Sequence, residues 1–276
     1  MEKKIVVITG SSSGFGFLTA LAFAQQGFHV IATMRNITKS EELLAQAKAF
    51  RCSDNIQILP LDITDSESIV NFVGSLTKVN ILVNNAGFAL AGFSEDTSVN
   101  EFKCQLETNF FGTVAITNAI LPLMRRQKSG RIINVSSISG VVGFPGLSSY
   151  VASKHALEGW SECLRLETAR FGIWVSLIEP GSYKTNIWSG GTQIAQKAQS
   201  TESAYYNFYK DIEAYALKNQ DSMGEPDEVA GKIVKIAAAE KPKLRYPIGK
   251  GISLFIFLKR ILPWSWWQAL VLRTFK

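Results

Sequence analysis

The stretch Thr9-Gly10-Ser11-Ser12-Ser13-Gly14-Phe15-Gly16 follows a short apolar run and opens a helical pattern. Glycines in such a turn let the chain fold tightly and let its backbone approach a pyrophosphate closely. The helix that begins there offers unpaired N–H groups and the positive end of its dipole to the same phosphates. A glycine-rich turn can be no more than a turn, but its position at the first strand–helix junction favours a dinucleotide-binding fold.

Apolar, β-branched runs alternate with helical patterns along the chain. Strands are predicted at residues 4–9, 29–33, 56–60, 81–84, 131–135 and 174–178, with a last strand at 244–248 that Pro247 would confine to the sheet edge. Helices are predicted at residues 15–26, 40–50, 66–77, 99–126, 149–171 and 227–239. Such alternation implies right-handed crossovers and a parallel sheet. The predicted fold class is α/β, a Rossmann-type doubly wound parallel sheet in three α/β/α layers within a single domain.

The segment 182–223 does not fit this alternation. It is rich in Ser, Gln, Ala and Tyr and starts at the carboxyl end of a strand, the edge at which open α/β sheets bind ligands. The position indicates a mobile substrate lid, and an ordered helical insertion without a gating role is the alternative. We therefore predict a dinucleotide-binding catalytic domain at 1–250 that contains this lid, followed by a basic, tryptophan-rich tail at 251–276.

The composition excludes several classes of protein. Hydrophobic residues make up 46% and charged residues 19% of the 276 positions, which is typical of a globular chain. The three cysteines and two histidines show no metal-ligand or redox spacing, so no metal site is predicted and a reducing compartment is favoured. No signal segment and no run of about 20 apolar residues is visible. The expected location is cytoplasmic, with peripheral membrane association through the tail left open.

The net charge of +6 is concentrated in the tail. Eight of the 29 basic residues and none of the 23 acidic residues follow residue 240, so the body of the chain carries a net charge of −2. A nucleic-acid-binding surface is therefore not predicted. Three tryptophans among cations suit an interfacial anchor. The alternative is that the tail packs on its own or a neighbouring subunit and completes the substrate pocket.

The pair Tyr150 and Lys154 is the main candidate for chemistry. Residues four apart lie on one face of a helix, and a nearby ammonium is expected to lower the phenol pKa and permit general acid–base catalysis. Such a pair occurs by chance in many helices, so its partners matter. Ser137 stands thirteen positions before Tyr150, and Asn109 lies inside the preceding long helix, where a buried amide needs a polar partner.

The end of the second predicted strand bears on the choice of cofactor. A fold that selects NAD usually places a carboxylate there for the ribose 2′-hydroxyl, but Ala32-Thr33-Met34-Arg35-Asn36 contains no acid. The Arg35 guanidinium could instead pair with a 2′-phosphate. We therefore predict NADP(H) in preference to NAD(H); the alternative is that Arg35 is only a solvated loop residue.

Taken in order over about residues 4–250, these motifs resemble the short-chain dehydrogenase/reductase family in its roughly 250-residue form. The resemblance rests on the glycine turn at 9–16, Asp62, Asn84-Asn85-Ala86-Gly87, Asn109, Ser137 with Tyr150 and Lys154, and Pro180-Gly181 with Thr185. It implies that Tyr150 is the general acid and base, that Lys154 binds the nicotinamide ribose and lowers the Tyr150 pKa, and that Ser137 polarises the carbonyl. Asn109 would hold a water in a proton relay.

The resemblance also implies where the cofactor binds. Asp62 would contact the adenine, Asn85 the ribose region and Thr185 the carboxamide. Ser13 stands where NADP-dependent members often carry a basic residue, so the NADP(H) prediction rests largely on Arg35. The full set of implied cofactor residues is Gly10, Ser12, Ser13, Gly14, Phe15, Gly16, Thr33, Arg35, Asp62, Ile63, Asn85, Ala86, Gly87, Tyr150, Lys154, Pro180, Gly181 and Thr185.

Within this family the stretch 178–185 resembles the steroid- and retinol-dehydrogenase-like branch, which implies a hydrophobic small-molecule alcohol or ketone. The lid aromatics fit an apolar pocket, although such residues more often form core: Trp188, Tyr205, Tyr206, Phe208 and Tyr209. The competing functions are a 3-oxoacyl thioester reductase and a non-catalytic nucleotide sensor, which typically lacks the tyrosine or the lysine. The resemblance further implies a homodimer or homotetramer.

Overall fold

A computed structural model describes residues 3–185 and 192–273. Its strands are β1 (Ile5–Ile8), β2 (His29–Met34), β3 (Ile56–Pro60), β4 (Ile81–Asn84), β5 (Ala89–Ala91), β6 (Gly130–Val135), β7 (Ile173–Pro180), β8 (Thr192–Ile194) and β9 (Arg245–Ile248). Seven of them form one sheet, every neighbouring pair of which is parallel, in the order β3-β2-β1-β4-β6-β7-β9. The predicted doubly wound sheet is confirmed, and β9 with Pro247 lies at its edge, as expected.

Helices cover both faces of this sheet. They are α1 (Gly14–Gln25), α2 (Glu41–Ala49), α3 (Ser66–Gly74), α4 (Val99–Leu106), α5 (Thr113–Gln127), α6 (Ser148–Thr168), α7 (Tyr206–Lys218), α8 (Asp227–Ala238), α9 (Ile252–Ile261) and α10 (Trp264–Arg273). In β1, Val6 and Ile8 pack in a core with α1 and α8, whereas Val7 packs in a second core with α3, α5 and α6. Alternate side chains thus enter opposite layers, because successive strand residues point to opposite faces.

The predicted helix at 99–126 is interrupted in the structure. A π-helical segment, Glu107–Gly112, separates α4 from α5. The chain is pressed against a loop here, since a Cβ atom on Gly112 would lie 2.8 Å from the Ile63 carbonyl oxygen. Single π turns within α-helices often occur at functional sites, and this one contains the candidate residue Asn109.

Two short strands above the main sheet were not predicted. β5 and β8 form a small parallel sheet of three residues each, too short to produce a periodic pattern. Within the predicted lid, α7 is an ordered helix, and Trp188 lies outside the described residues. No helix among the described residues is long and apolar enough to cross a membrane.

Candidate active site

An open cleft lies where the strand order reverses, between β1 and β4. In open α/β sheets this switch point, at the carboxyl ends of the strands, is the usual ligand site. The cleft has a volume of about 250 Å³. Twelve of the predicted cofactor residues line it: Gly10, Ser12, Ser13, Gly14, Phe15, Arg35, Asp62, Ile63, Asn85, Ala86, Gly87 and Thr185. Seven other lining residues were not among the predicted cofactor residues: Thr9, Met34, Leu61, Thr64, Phe88, Thr108 and Gln193.

The glycine turn forms one wall of this cleft. Gly10 and Gly14 have φ angles of +68° and +56°, which favour glycine. A Cβ atom on Gly10 would lie 2.8 Å from the Cα of Ala86, and one on Gly16 would collide with the Asn85 amide nitrogen. Gly16 does not line the cleft, but it lets α1 start close to it. The Ser13 side chain does not cap α1, so the first N–H groups of the helix are available to a phosphate.

Thr9 and Asn85 hold this turn against the end of β4. The Thr9 hydroxyl accepts hydrogen bonds from the backbone N–H groups of Asn85 and Ala86, both at 3.0 Å. The Asn85 amide donates to the carbonyl oxygens of Thr9 and Gly10, both at 2.9 Å. Asn85 therefore supports the shape of the turn in addition to lining the cleft. A hydroxyl residue that ends a strand directly before a glycine turn was the signal for Thr9.

Residues after β2 and β3 form the opposite end of the cleft. Arg35 is exposed and lines it. Thr33 is buried and does not line it; its carbonyl oxygen accepts from the Ser11 N–H and its hydroxyl donates to the Ile8 carbonyl oxygen. The Asp62 carboxylate accepts from both the N–H and the hydroxyl of Thr64, which fixes the loop that faces Arg35.

Ser137, Tyr150 and Lys154 lie together beside the cleft without being part of its lining. Tyr150 and Lys154 lie one turn apart on α6, and Ser137, just beyond β6, is close enough to Tyr150 for its hydroxyl to lower the pKa of the phenol. The Lys154 ammonium donates to the Val135 carbonyl oxygen at 2.8 Å and lies 5.7 Å from the centre of the Tyr150 ring. All three side chains are buried. Ser136 is also buried, but its hydroxyl has no hydrogen-bond partner.

Burial dominates the protonation of this group. It raises the pKa of Tyr150 to about 12, and the nearby Ser137 hydroxyl lowers it only in part. Burial also lowers the pKa of Lys154 to about 8, against the opposing effect of Glu158. Lys154 is not among the causes of this shift, so the lowering of the Tyr150 pKa by Lys154 stays a prediction. Burial dominates because a phenolate away from water is costly.

Asn109 connects the π turn with α6. Its amide oxygen accepts from the Phe88 N–H at 3.0 Å, and its amide nitrogen donates to the Phe88 carbonyl at 2.9 Å and the Ser153 hydroxyl at 3.1 Å. Ser153 in turn donates to the Tyr150 carbonyl oxygen at 2.7 Å. These bonds fix the turn of α6 that carries Tyr150. Ser153 was missed, although it lies between Tyr150 and Lys154 in the sequence.

Pro180, Gly181 and Thr185 have different surroundings. Pro180 ends β7, and the Gly181 N–H donates to the Ile248 carbonyl oxygen at 3.0 Å. A Cβ atom on Gly181 would lie 2.5 Å from the Ile252 side chain, so these two residues lie against the start of the tail and outside the cleft lining. Thr185 is buried and lines the cleft opposite Gly14.

Comparisons with known proteins agree with this fold and with the arrangement of these residues. The family model for short chain dehydrogenase matches residues 4–194. The chain is 49% identical to the uncharacterised oxidoreductase YusZ of Bacillus subtilis over 98% of each protein. The chain belongs to the short-chain dehydrogenase family. This identifies it as an oxidoreductase, and it confirms the resemblance inferred from the motifs.

Two further relatives of this short-chain dehydrogenase carry informative names. It is 33% identical to the 3-ketodihydrosphingosine reductase of Bacteroides thetaiotaomicron over 95% of this chain and 94% of that protein. The solved structure of ElxO with NADP bound superposes with a TM-score of 0.75 at 28% identity, over 92% of this chain and 100% of that chain. The family and this structure support a nicotinamide cofactor.

A buried carboxylate on α6 was not anticipated from the sequence of this dehydrogenase. Glu158 lies one turn beyond Lys154, is 4% exposed and favours the charged ammonium. Its carboxylate accepts a hydrogen bond from the Arg245 Nε at 2.9 Å, while Glu162 binds another nitrogen of the same guanidinium at 2.8 Å. Glu158 and Arg245 are 87 positions apart, so no local pattern could indicate this pair.

The substitution Glu158→Gln is expected to lower the pKa of Lys154 further below its usual range. The Glu158 carboxylate stabilises the ammonium, and its removal leaves burial less opposed. If deprotonation of Lys154 lowers kcat/KM, this loss should begin at a lower pH in the variant than in the wild type. A profile of kcat/KM against pH measures the difference. Glu162→Gln is the matched control, because Glu162 binds the same arginine but is exposed. Equal profiles for the two variants would contradict the expectation.

Proposed function

We propose that this short-chain dehydrogenase transfers a hydride between NADP(H) and an alcohol or ketone, with Tyr150 as general acid and base. The grouping of Tyr150 with Ser137, which lowers the pKa of its phenol, and with the Lys154 ammonium, 5.7 Å from the centre of its ring, carries the proposal. The nicotinamide, when bound, supplies or receives the hydride at the substrate carbon. Tyr150 gives its proton to the carbonyl oxygen in reduction and accepts it back in oxidation, while the Ser137 hydroxyl binds the same oxygen.

The protonation of Tyr150 favours its role as an acid. With a pKa of about 12, the phenol keeps its proton throughout the neutral range and can deliver it to a ketone oxygen. In oxidation Tyr150 must act as a base, and the Lys154 ammonium is placed to stabilise the phenolate. The positive charge of an oxidised nicotinamide would add to that stabilisation. Asn109 positions this turn of α6 through Ser153.

The cofactor is proposed to lie along the cleft. Its pyrophosphate would bind at the glycine turn and the free start of α1, and its adenine near Asp62 and Ile63. Lys154 and Tyr150 would hold the nicotinamide ribose, and Thr185 the carboxamide. The lining of the cleft and the NADP in the related ElxO structure support this placement.

Arg35→Ala is expected to raise KM for NADPH about ten- to hundredfold, the effect of losing a charge-assisted hydrogen bond to phosphate. KM for NADH should change little, because that cofactor has a hydroxyl in place of the 2′-phosphate. Steady-state kinetics with both cofactors measure the difference. Lys39→Ala is the control, since Lys39 is an exposed cation on the same loop but outside the cleft lining. Equal changes for both cofactors would refute selection of NADP(H) by Arg35.

The proposed substrate is an apolar alcohol or ketone. Aromatic side chains above the sheet support this: the Phe93 ring stacks on Tyr205 with centroids 4.7 Å apart and contacts Phe208 at 5.1 Å. The name of the related 3-ketodihydrosphingosine reductase points to a long-chain ketone. The segment 182–223 is proposed to cover this substrate, and it is tied down by a hydrogen bond of 2.6 Å from Ser203 to Asp96.

A screen of NADPH consumption tests the function. The substrates are long-chain, steroid and retinoid ketones or aldehydes, 3-oxoacyl thioesters and small polar ketones, each assayed with the wild type and with Tyr150→Phe. Turnover of the apolar ketones that depends on Tyr150 supports the proposal. Turnover confined to 3-oxoacyl thioesters or small polar ketones would overturn the substrate class, and no turnover with any substrate would favour a nucleotide sensor.

The protein is also proposed to form a homodimer or homotetramer. Phe111 in the π segment and Leu166 on α6 are 51% and 75% exposed, which leaves apolar surface for a subunit contact. Sedimentation equilibrium measures the assembly directly, and a monomer at micromolar concentration would contradict it.

A further inference from the structure

The tail presents an unusual apolar surface. Among the described residues, 16 large apolar side chains are exposed, and seven of them lie between residues 254 and 272. We call these seven the outer face of the tail: Leu254, Phe257, Ile261, Trp264, Trp266, Leu270 and Leu272. Trp264 and Trp266 are exposed to 66% and 67%. Concentrated apolar exposure of this kind marks an interaction site on a folded protein.

One side of each of the same two helices is packed, and on α10 the exposed side chains surround the one buried position. Ile256 of α9 and Trp267 of α10 are buried. The Phe255 ring contacts Trp267 at 4.7 Å and stacks on Phe144 at 6.3 Å between centroids. The predicted alternative, that the tail packs on its own subunit, therefore describes this inner side. Since the tail is packed against the rest of the protein, its outer face is not exposed merely because the tail is detached. The exposure of this face therefore needs a separate explanation.

The charges that the tail itself carries are all positive, and the buried Glu179 of β7 shares a pocket with Phe257 and Arg260. Lys250, Lys259, Arg260 and Arg273 flank the outer face, and no acidic residue follows residue 240. The Lys259 ammonium lies 4.5 Å from the centre of the Trp264 ring and 5.6 Å from that of Trp267, which joins cation and indole in one surface. Cations and tryptophans beside an apolar stripe fit the interface of an anionic lipid bilayer.

Length and symmetry narrow the choice of partner. Each helix has 10 residues and is thus about 15 Å long, half the thickness of a bilayer core, so the helices would lie on the membrane. A symmetric contact with a second copy would bring the same cations together without any acid of the tail to offset them. We infer that the outer face of the tail docks this enzyme on anionic membranes.

This docking would bring the active site near the lipid. Phe144, which Phe255 contacts, lies in the segment between Ser137 and Tyr150, and Ile252 contacts Gly181. The inference does not depend on the proposed substrate, and its test measures binding to lipid and not turnover, so the two proposals can fail separately.

Flotation of the full-length protein with vesicles tests the inference. The vesicles contain phosphatidylcholine alone or mixed with phosphatidylglycerol. The wild type should float with the anionic vesicles, and the triple variant Leu254→Ser, Phe257→Ser, Trp266→Ser should not. A control triple variant, Phe50→Ser, Val70→Ser, Val99→Ser, replaces side chains that are 54%, 69% and 70% exposed elsewhere and should float like the wild type.

A second variant tests the charges. Lys250→Gln with Arg273→Gln should weaken partitioning about fivefold for each charge removed, since a cation near an anionic surface contributes about 1 kcal/mol. Circular dichroism and thermal unfolding establish that each variant is folded. Flotation of the outer-face variant equal to that of the wild type, or no flotation of the wild type, would overturn the inference. Loss of a dimer without any lipid binding would assign this face to a subunit contact instead.

Discussion

Replacing Tyr150 by phenylalanine is expected to lower kcat by a factor of about 10²–10⁴, the usual contribution of a positioned general acid or base. The variant keeps the buried ring and loses the proton that we propose to reach the ketone oxygen. The dissociation constant for NADPH should change far less than kcat, which fluorescence titration and steady-state kinetics measure together.

Tyr246→Phe makes the same chemical change away from the cleft. The Tyr246 hydroxyl accepts a hydrogen bond of 2.7 Å from the Lys243 N–H on the sheet edge, so its loss should leave kcat unchanged. Unaltered turnover in Tyr150→Phe would remove Tyr150 from the chemistry. An equal loss of kcat in both variants would indicate that removing a tyrosine hydroxyl lowers kcat wherever it lies, without a specific role for Tyr150.

The substitution Gly10→Ala is expected to destabilise the fold by about 2–5 kcal/mol, from a left-handed backbone and an overpacked contact together. The φ angle of Gly10 is +68°, and the new Cβ atom would lie 2.8 Å from the Cα of Ala86. The turn must shift to relieve this contact, and NADPH affinity should fall with it. Urea unfolding and cofactor titration measure the two effects.

Gly159→Ala provides the matched control on α6. Gly159 lies within the helix, and a Cβ atom there would meet no other atom within 4 Å. Alanine should therefore stabilise the helix by about 0.5–1 kcal/mol. Opposite signs for the two substitutions are expected; equal stability of Gly10→Ala and the wild type would show that the turn tolerates a side chain.

The sequence predicted the sheet well because its strands are buried on both faces. Val6 and Ile8 enter one core and Val7 the other, so the apolar run of β1 is continuous and easily found. The short strands β5 and β8 carry no such pattern. The π segment that contains Asn109 was also unpredictable, and it lies where Gly112 approaches the Ile63 loop, a contact between segments far apart in the sequence.

The sequence likewise predicted one part of the candidate site and missed another. Spacing along the chain placed Tyr150 and Lys154 on one helical face and named Ser137 as their partner, and the structure brings Ser137 close enough to Tyr150 to lower its pKa. The structural roles of Thr9 and Ser153 were missed because they depend on hydrogen bonds with residues of other elements, Asn85 and Ala86 for Thr9 and Asn109 for Ser153. Glu158 was missed because its partner Arg245 lies 87 positions further along the sequence.

The sequence by itself determined what depends on neighbours along the chain: the alternation of strands and helices, the glycine turn, and the spacing of Tyr150 and Lys154. Only the tertiary structure decided the protonation of that pair, because the Tyr150 pKa of about 12 results from burial by distant segments. It likewise decided which side of the tail is packed and which is exposed. Desolvation and charge interactions depend on distance in space, and the folded chain alone sets that distance.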